Sequence, residues 1–332
     1  MELEKRSLRF GAWVLAGALA LRLLSNGALA PVVKKLLAPE TACVLMFMET
    51  GRLVRPVAPQ PQPEVTEPET TPQDTPAVQQ VAFSAEDAQL VQVNSVCGYQ
   101  VDLQQLLRQP LQWDLTQDGP AVLIVHSHGT ESYQKTEDYQ ESSSYRTLNP
   151  DYNVVSVGDR IAQILQAGGV EVIHDRTMHD YPSYTDAYNQ SRQSVQNYLT
   201  QYPSIRVVLD IHRDAVQTAD GAQKGYTAQV NGQAAAQLMM VVGTDASGLS
   251  HPNWQENMAL ATKLHAQLEK TAPGLCRPIS FRSQRFNQDL SAGAMLVEVG
   301  AAGNTRAEAL LGAQLLAESL LALAHGTSDT VW

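Results

Sequence analysis

Three short stretches of this chain combine side chains able to hold a metal ion and move a proton. The first is "HSHGTE", His126 to Glu131. Imidazole and carboxylate are both good zinc ligands, and a catalytic zinc takes three protein ligands and keeps one position open. His128 and Glu131 stand three residues apart. His126 stands two before His128, so on an extended chain the two histidines point the same way. One of them is expected to ligate and the other to line the pocket. The second stretch is "DIHRDA", with Asp210 and His212 at the same alternation. His212 is expected to complete a His/Glu/His set. Asp210 is placed to accept a proton from a ligand imidazole and so fix its tautomer. Arg213 either binds a substrate carboxylate or pairs with Asp214. The third is "MLVEVG", in which Glu298 lies between Val297 and Val299. A carboxylate in a buried strand is costly unless it is paired or functional. Desolvation favours its neutral form, which suits general acid–base work.

Each stretch also has a plain reading, as polar residues at a strand end or on an exposed edge. The elements around them decide between the two. "AVLIVH" (121–126) is a continuous apolar run, as in a strand buried on both faces. Further strands are expected at 170–175, 205–212 and 294–300, and helices at 154–169, 184–203, 254–273 and 304–326. Asn304 or Thr305 is a fitting cap for the last helix. Residues 225–243 read as a hairpin around Asn231-Gly232. Strands alternating with helices imply an α/β fold: a mixed, mostly parallel twisted sheet with helices on both faces. In such sheets, functional residues gather at the carboxyl ends of strands. That rule selects the same three stretches. Of the other histidines, His174 is expected near the site and His179 on a solvated loop. His251, His265 and His325 are expected at the surface.

Ahead of this region, Lys5, Arg6 and Arg9 precede an apolar stretch from Phe10 to Leu24, interrupted by Arg22. The flanking charge places the N-terminus in the cytoplasm and the rest outside. An uncleaved anchor is expected, with a cleaved signal peptide as the competing reading. From Arg55 the composition turns to proline, glutamine, threonine and glutamate. Such a segment cannot bury enough surface to offset chain entropy, and reads as a disordered tether. The expected division is therefore an anchor and membrane-proximal segment (1–54), a linker (55–80), a transition segment (81–119), a catalytic domain (120–326) and a tail (327–332). A net charge of −11 argues against a nucleic-acid partner, which needs a basic footprint. Three scattered cysteines exclude a Cys-x-x-Cys zinc site, although Cys97 and Cys276 remain free to pair outside the cell.

"HSHGTESY", "DIHRDA" and "RFNQDLSAGAMLVEVGAAGNTRAEAL" together resemble the stage II sporulation protein P family, which groups with zinc-dependent N-acetylmuramoyl-L-alanine amidases of the Amidase_3 type. "LMFMETGR" (45–52) resembles that family's membrane-proximal segment. Gly129 and Ala302 stand where the family often has other small or polar residues. The resemblance implies a single-pass membrane protein whose hydrolase domain faces the cell wall. It implies cleavage of the amide between N-acetylmuramic acid and L-alanine, with endopeptidase cleavage of stem cross-links as a further activity. Peptidoglycan would be the substrate, during engulfment, with stage II sporulation proteins D and M as partners. By position it makes His128, Glu131 and His212 the Zn2+ ligands and Glu298 the catalytic glutamate. His128 is preferred over His126 because "SHG" lines up with a Gly-His-Gly of the wider amidase group. Two other classes stay open: an inert wall-binding module on the same fold, and a protein-cleaving metalloprotease. The absence of His-Glu-x-x-His weakens the second. Glu298 weighs against the first, since a binder has no use for a carboxylate there.

Overall fold

The computed structural model describes residues 81–111, 114–136, 139 and 144–327. The expected anchor at 10–24, the segment at 45–52, the linker at 55–80 and the tail beyond 327 lie outside the described residues. The strands are β1 (Val93–Ser95), β2 (Val122–Val125), β3 (Val172–His174), β4 (Val207–Asp214), β5 (Thr227–Val230), β6 (Gln233–Ala236), β7 (Leu238–Val242), β8 (Ile279–Phe281) and β9 (Ala294–Ala301). The helices are α1 (Leu103–Arg108), α2 (Val154–Ala167), α3 (Ala187–Gln201), α4 (Trp254–Thr271) and α5 (Arg306–His325).

Local chemistry sets the boundaries. Asn153 caps α2, its side-chain oxygen accepting from the Val155 N–H at 2.9 Å. α3 stops at Gln201, just before Pro203, which cannot donate to a continuing helix. Thr305 and Glu308 form a reciprocal capping box on α5, and Gly326 ends it at φ +65°. Among the described residues, α5 is the one helix long and apolar enough to cross a membrane. Here it is a core helix: Ala313, Leu316 and Leu320 are buried in the main hydrophobic cluster.

Seven strands form one sheet in the order β1-β8-β7-β9-β4-β2-β3. Every neighbouring pair is parallel except β7 and β9. The mixed, mostly parallel α/β sheet is as the pattern predicts. Side-chain alternation then sorts the two faces. Val122, Ile124, Val207, Leu209 and Ile211 point to one face and join Val157 and Ile161 of α2 and Leu316 of α5 in the larger core. Leu123, Val125 and Val208 point to the other and pack on Val195 of α3. Helices therefore flank both faces, but unequally. α3 covers β2, β4 and the start of β9 at Ala294. The outer positions of β9, β7 and β8 floor an open cleft instead.

Two segments differ from expectation. Residues 81–119 carry more than short local structure. β1 is the sheet's edge strand, and Val91, Leu106, Leu107 and Leu115 are buried in the main core. Its sequence hides this, because a three-residue strand is too short to show a period. The run 225–243 is also not one hairpin. β5 and β6 close around Asn231-Gly232, both at positive φ. The chain then leaves at Gln237, and β7 enters the main sheet beside β9. Leu238, Met240 and Val242 need the large core, and the two-stranded ribbon cannot bury them. Cys97 and Cys276 are free thiols. His251 and His265 are buried at 2% and 1% exposure, not at the surface as expected.

The register of β4 and β9 shifts just past the site. His212 faces Glu298, but Asp214 faces Ala301, so β9 carries one extra residue. Gly300 sits in that bulge at φ +65°. A Cβ there would meet Asn304 Oδ1 at 2.7 Å and Ala236 Cβ at 2.8 Å. Gly300→Ala is expected to destabilise the fold by about 3 kcal/mol, from left-handed strain plus overpacking. Urea unfolding of the two proteins checks this; an unchanged midpoint would mean the bulge is not needed.

Candidate metal centre

β2 ends at Val125, and the next three residues part ways. His126 continues the alternation of Val122 and Ile124 into the core and is fully buried. Its Nδ1 lies 3.0 Å from the Ile211 carbonyl and its Nε2 2.8 Å from His174 Nε2. Burial holds it down to about 3, so it stays a neutral ring, and it reaches no part of the cleft. His126 as the metal ligand or pocket residue is thus not what the structure places there. Ser127 points to the opposite face and binds Asp210 through its N–H at 2.8 Å and its Oγ at 2.5 Å. The chain then turns. That turn brings His128 into the cleft, and Glu131 follows it through an N–H bond to the His128 carbonyl at 3.1 Å.

His212 reaches the same point from β4. His212 Nδ1 is 3.5 Å from Glu131 Oε2, and His128 Nδ1 is 3.7 Å from Glu131 Oε1. One donor atom from each of the three lies within 4.8 Å of the others. A tetrahedral ion with bonds of about 2.1 Å wants donors about 3.4 Å apart, so the set fits with small closing movements. His212 Nε2 is 2.9 Å from Asp210 Oδ1, although off the direction of a good hydrogen bond. Asp210 therefore stands where sequence reasoning put it, behind a candidate ligand imidazole. Its other bonds, both to Ser127, tie the first and second of these stretches together.

Charge is balanced by contact. Burial works against Glu131 as a carboxylate, but His212, Arg213 and His128 outweigh it and hold it down to about 2. Burial likewise works against a charged His212, but Asp210 and Glu131 raise it well above the ordinary imidazole range. His128 is lowered by burial and by His212. Glu298 sits on β9 directly opposite His212, with Met239 of β7 on its other side. Burial pushes it up to about 8; His212 opposes this, while Glu131 and Asp214 add to it. Its Oε2 has no hydrogen-bond partner. A half-buried carboxylate with one sealed, unpartnered oxygen, facing a cleft, is the signature of a group kept for a purpose other than stability.

Arg213 does not pair with Asp214, and its guanidinium is engaged within the protein. It is buried at 4% exposure. Its Nε donates to the Ser132 carbonyl at 2.9 Å and its Nη2 to the Tyr145 carbonyl at 2.8 Å. Asp214 pairs with Arg277 at 2.8 Å instead. Arg213 thus clamps the loop that carries Glu131. Three contributors were not foreseen. Arg146 bridges Glu131 at 3.4 Å and Asp180 at 2.6 Å. Tyr184 stacks on the His128 ring at 4.6 Å, and Tyr188 meets it edge-on at 5.4 Å. The i, i+4 spacing of Tyr184 and Tyr188 was the one available signal; Arg146 lies in a stretch without a period. His174 lies beside His126 away from the cleft, its Nε2 2.8 Å from His126 Nε2 and its Nδ1 3.1 Å from Asp159 Oδ1. His179 is buried, not solvated, with its Nε2 2.9 Å from Ser194 Oγ and its Nδ1 2.9 Å from the His126 carbonyl.

Two imidazoles and a carboxylate at strand ends, beside an unpaired carboxylate over a cleft, have the donor set of a hydrolytic metal centre. The sequence belongs to a known group: the family model for stage II sporulation protein P matches residues 33–321, and the chain is a member of that family. Stage II sporulation protein P of Bacillus subtilis (strain 168) is 30% identical over 206 residues, 58% of this chain. The match spans about half of that relative, 48% of its length. Among solved structures, the N-acetylmuramoyl-L-alanine amidase AmiC2 of Nostoc punctiforme overlaps with a TM-score of 0.35 at 14% identity, covering 62% of this chain and 96% of that one. The CwlD amidase of Clostridioides difficile, solved with the GerS lipoprotein, gives 0.38 at 11% identity, covering 63% and 95%.

Proposed function

We propose that this protein is a membrane-anchored peptidoglycan hydrolase of sporulation. Its reaction is zinc-dependent hydrolysis of the amide between N-acetylmuramic acid and L-alanine, with stem-peptide cross-links as a further substrate. The observation that carries this reading is the convergence of His128, Glu131 and His212 at one end of a cleft, with Glu298 unpaired beside them. Family membership supplies the sporulation context and, with it, stage II sporulation proteins D and M as partners. The anchor at 1–54 would hold the domain at 120–326 near the wall through the linker at 55–80, and restrict it to nearby substrate.

His128, Glu131 and His212 would hold the zinc. When bound, zinc supplies Lewis acidity toward the scissile carbonyl and toward water. Glu298 does the proton work: its free Oε2 takes a proton from the attacking water and delivers it to the departing L-alanine nitrogen. Asp210 backs His212 at Nε2, which leaves Nδ1 as the nitrogen that would hold the metal. Arg213 and Arg146 fix the Glu131 carboxylate from two sides. The direct test digests purified muropeptides with the full-length protein, with and without chelator, and identifies products by mass spectrometry. Peptides with a free N-terminal L-alanine, lost on chelation and restored by zinc, are expected. Products unaffected by chelator, or cut elsewhere only, would overturn the assignment.

Asp210→Asn makes a finer prediction. The amide keeps the shape but loses the charge behind His212. Zinc affinity is expected to fall by about 10–100-fold, read by competition with a chromophoric chelator. Wild-type affinity would remove Asp210 from this role.

A further inference from the structure

The cleft extends well past the metal end. From Glu298 its floor runs across β9, β7 and β8 through Leu296, Met239, Val241 and Ser280, enclosing about 280 Å³. Arg282 follows Ser280 by two residues, on the same face, and closes the far end. Strands lie about 4.8 Å apart, so β4 to β8 spans about 14 Å. An extended peptide advances about 3.3 Å per residue, so about four residues bridge that distance.

Arg282 is an exposed side chain. Its backbone is fixed: its N–H donates to the Val242 carbonyl at 2.8 Å, and its carbonyl accepts from Thr244 Oγ1 at 2.9 Å. Its guanidinium makes no ion pair or hydrogen bond among the described residues. The cleft's other arginine, Arg213, is spent on two backbone carbonyls, and Asp214 is neutralised by Arg277. Arg282 is therefore the cation in this cleft with its donors free. The loop behind it is held firmly. Asn287, at φ +59°, donates to the Tyr188 carbonyl at 2.8 Å. Gln288 spans the Gly243 N–H and the Val241 carbonyl at 2.8 and 2.9 Å. Gly243 lies so close under this loop that a Cβ would come within 2.2 Å of the Gln284 carbonyl.

We propose that Arg282 is a specificity-determining anchor for an acidic peptide extended along this cleft, binding a carboxylate about three to four residues beyond the bond cut at the metal end. A guanidinium with a free fork matches a carboxylate in both charge and shape. The apolar floor suits an extended backbone with small side chains. This deepens the hydrolase reading and rests on it for the position of the cut.

The test compares metal-loaded full-length wild type, Arg282→Ala and Arg282→Lys. Substrates are a muramyl tetrapeptide, the same compound with its distal carboxylates amidated, and muramyl-L-alanine. Arg282→Ala is expected to raise KM for the acidic tetrapeptide on the order of tenfold with kcat little changed. It should erase the preference for the acid over the amide and leave muramyl-L-alanine untouched. Arg282→Lys should recover part of the loss. Calorimetric titration with the free acidic tetrapeptide reads the same difference without catalysis. Equal affinity and KM in wild type and Arg282→Ala overturn the proposal. If wild type cleaves nothing, the hydrolase reading fails by itself, and the titration still decides Arg282.

Discussion

Glu298→Gln is expected to lower kcat for muramyl-amide hydrolysis by about 10²–10⁴-fold while metal content stays at the wild-type level. The two halves of that statement come from different features. Glu298 lies outside the three-donor cluster, so its loss leaves the ion's ligands in place. It also holds no other residue, since its Oε2 has no partner. The amide fills the same volume between Met239 and His212 but cannot accept a proton. In the metal-free fold Glu298 is pushed up to about 8, chiefly by burial. A divalent cation beside it pulls the other way and favours the carboxylate, the form a general base needs. Replacing this half-buried, unpaired carboxylic acid with a neutral amide should not lower the melting temperature. Released amine gives kcat, elemental analysis gives zinc, and calorimetry gives stability. Wild-type turnover in this variant would remove Glu298 from the chemistry. Lost zinc would instead make it part of the metal's support.

Much of this site could be read from the chain because the pieces that build it have strong periods. β2 and β9 are apolar runs in which Glu298 is conspicuous, and β4 shows Asp210 and His212 in step. What could not be read depends on where chains bend. His126 and His128 point the same way only if the strand continues; it stops at Val125, and the turn after Ser127 sends the two rings to different sides of the sheet. Nothing in "HSHGTE" marks that stop. Arg213 shows the same limit from a neighbouring strand. It falls on the face opposite His212 and meets the Ser132 and Tyr145 carbonyls, which a loop without any sequence period supplies. The open cleft was hidden for a third reason. Alternation predicts which residues face outward, but not which outward faces a helix will cover. α3 packs on β2, β4 and the start of β9, and the outward positions of β9, β7 and β8 beyond it stay uncovered as the place where a substrate can lie.

His212→Ala is expected to abolish stoichiometric zinc binding, and to do so for two reasons that a second variant separates. His212 supplies a donor atom, but it also lies between Glu131 at 3.5 Å and Asp210 at 2.9 Å. Removing it leaves two buried carboxylates without their shared cation, a defect of about 3 kcal/mol in the metal-free fold. His128 also supplies a donor atom, yet it stands nearer the surface and its loss uncovers no buried pair. His128→Ala should therefore lose zinc with the metal-free melting temperature unchanged, whereas His212→Ala loses both. Chelation should lower the melting temperature of wild type and leave both variants where they are, because only a bound ion stabilises by linkage. The same contacts set a pH dependence. Asp210 and Glu131 raise His212 well above the usual imidazole range, so below that point zinc must displace a proton to reach Nδ1. Apparent affinity should then rise about tenfold per pH unit until His212 is neutral, and flatten above it. Full zinc content in His212→Ala would show that the ion sits elsewhere, and the centre built from His128, Glu131 and His212 would have to be abandoned.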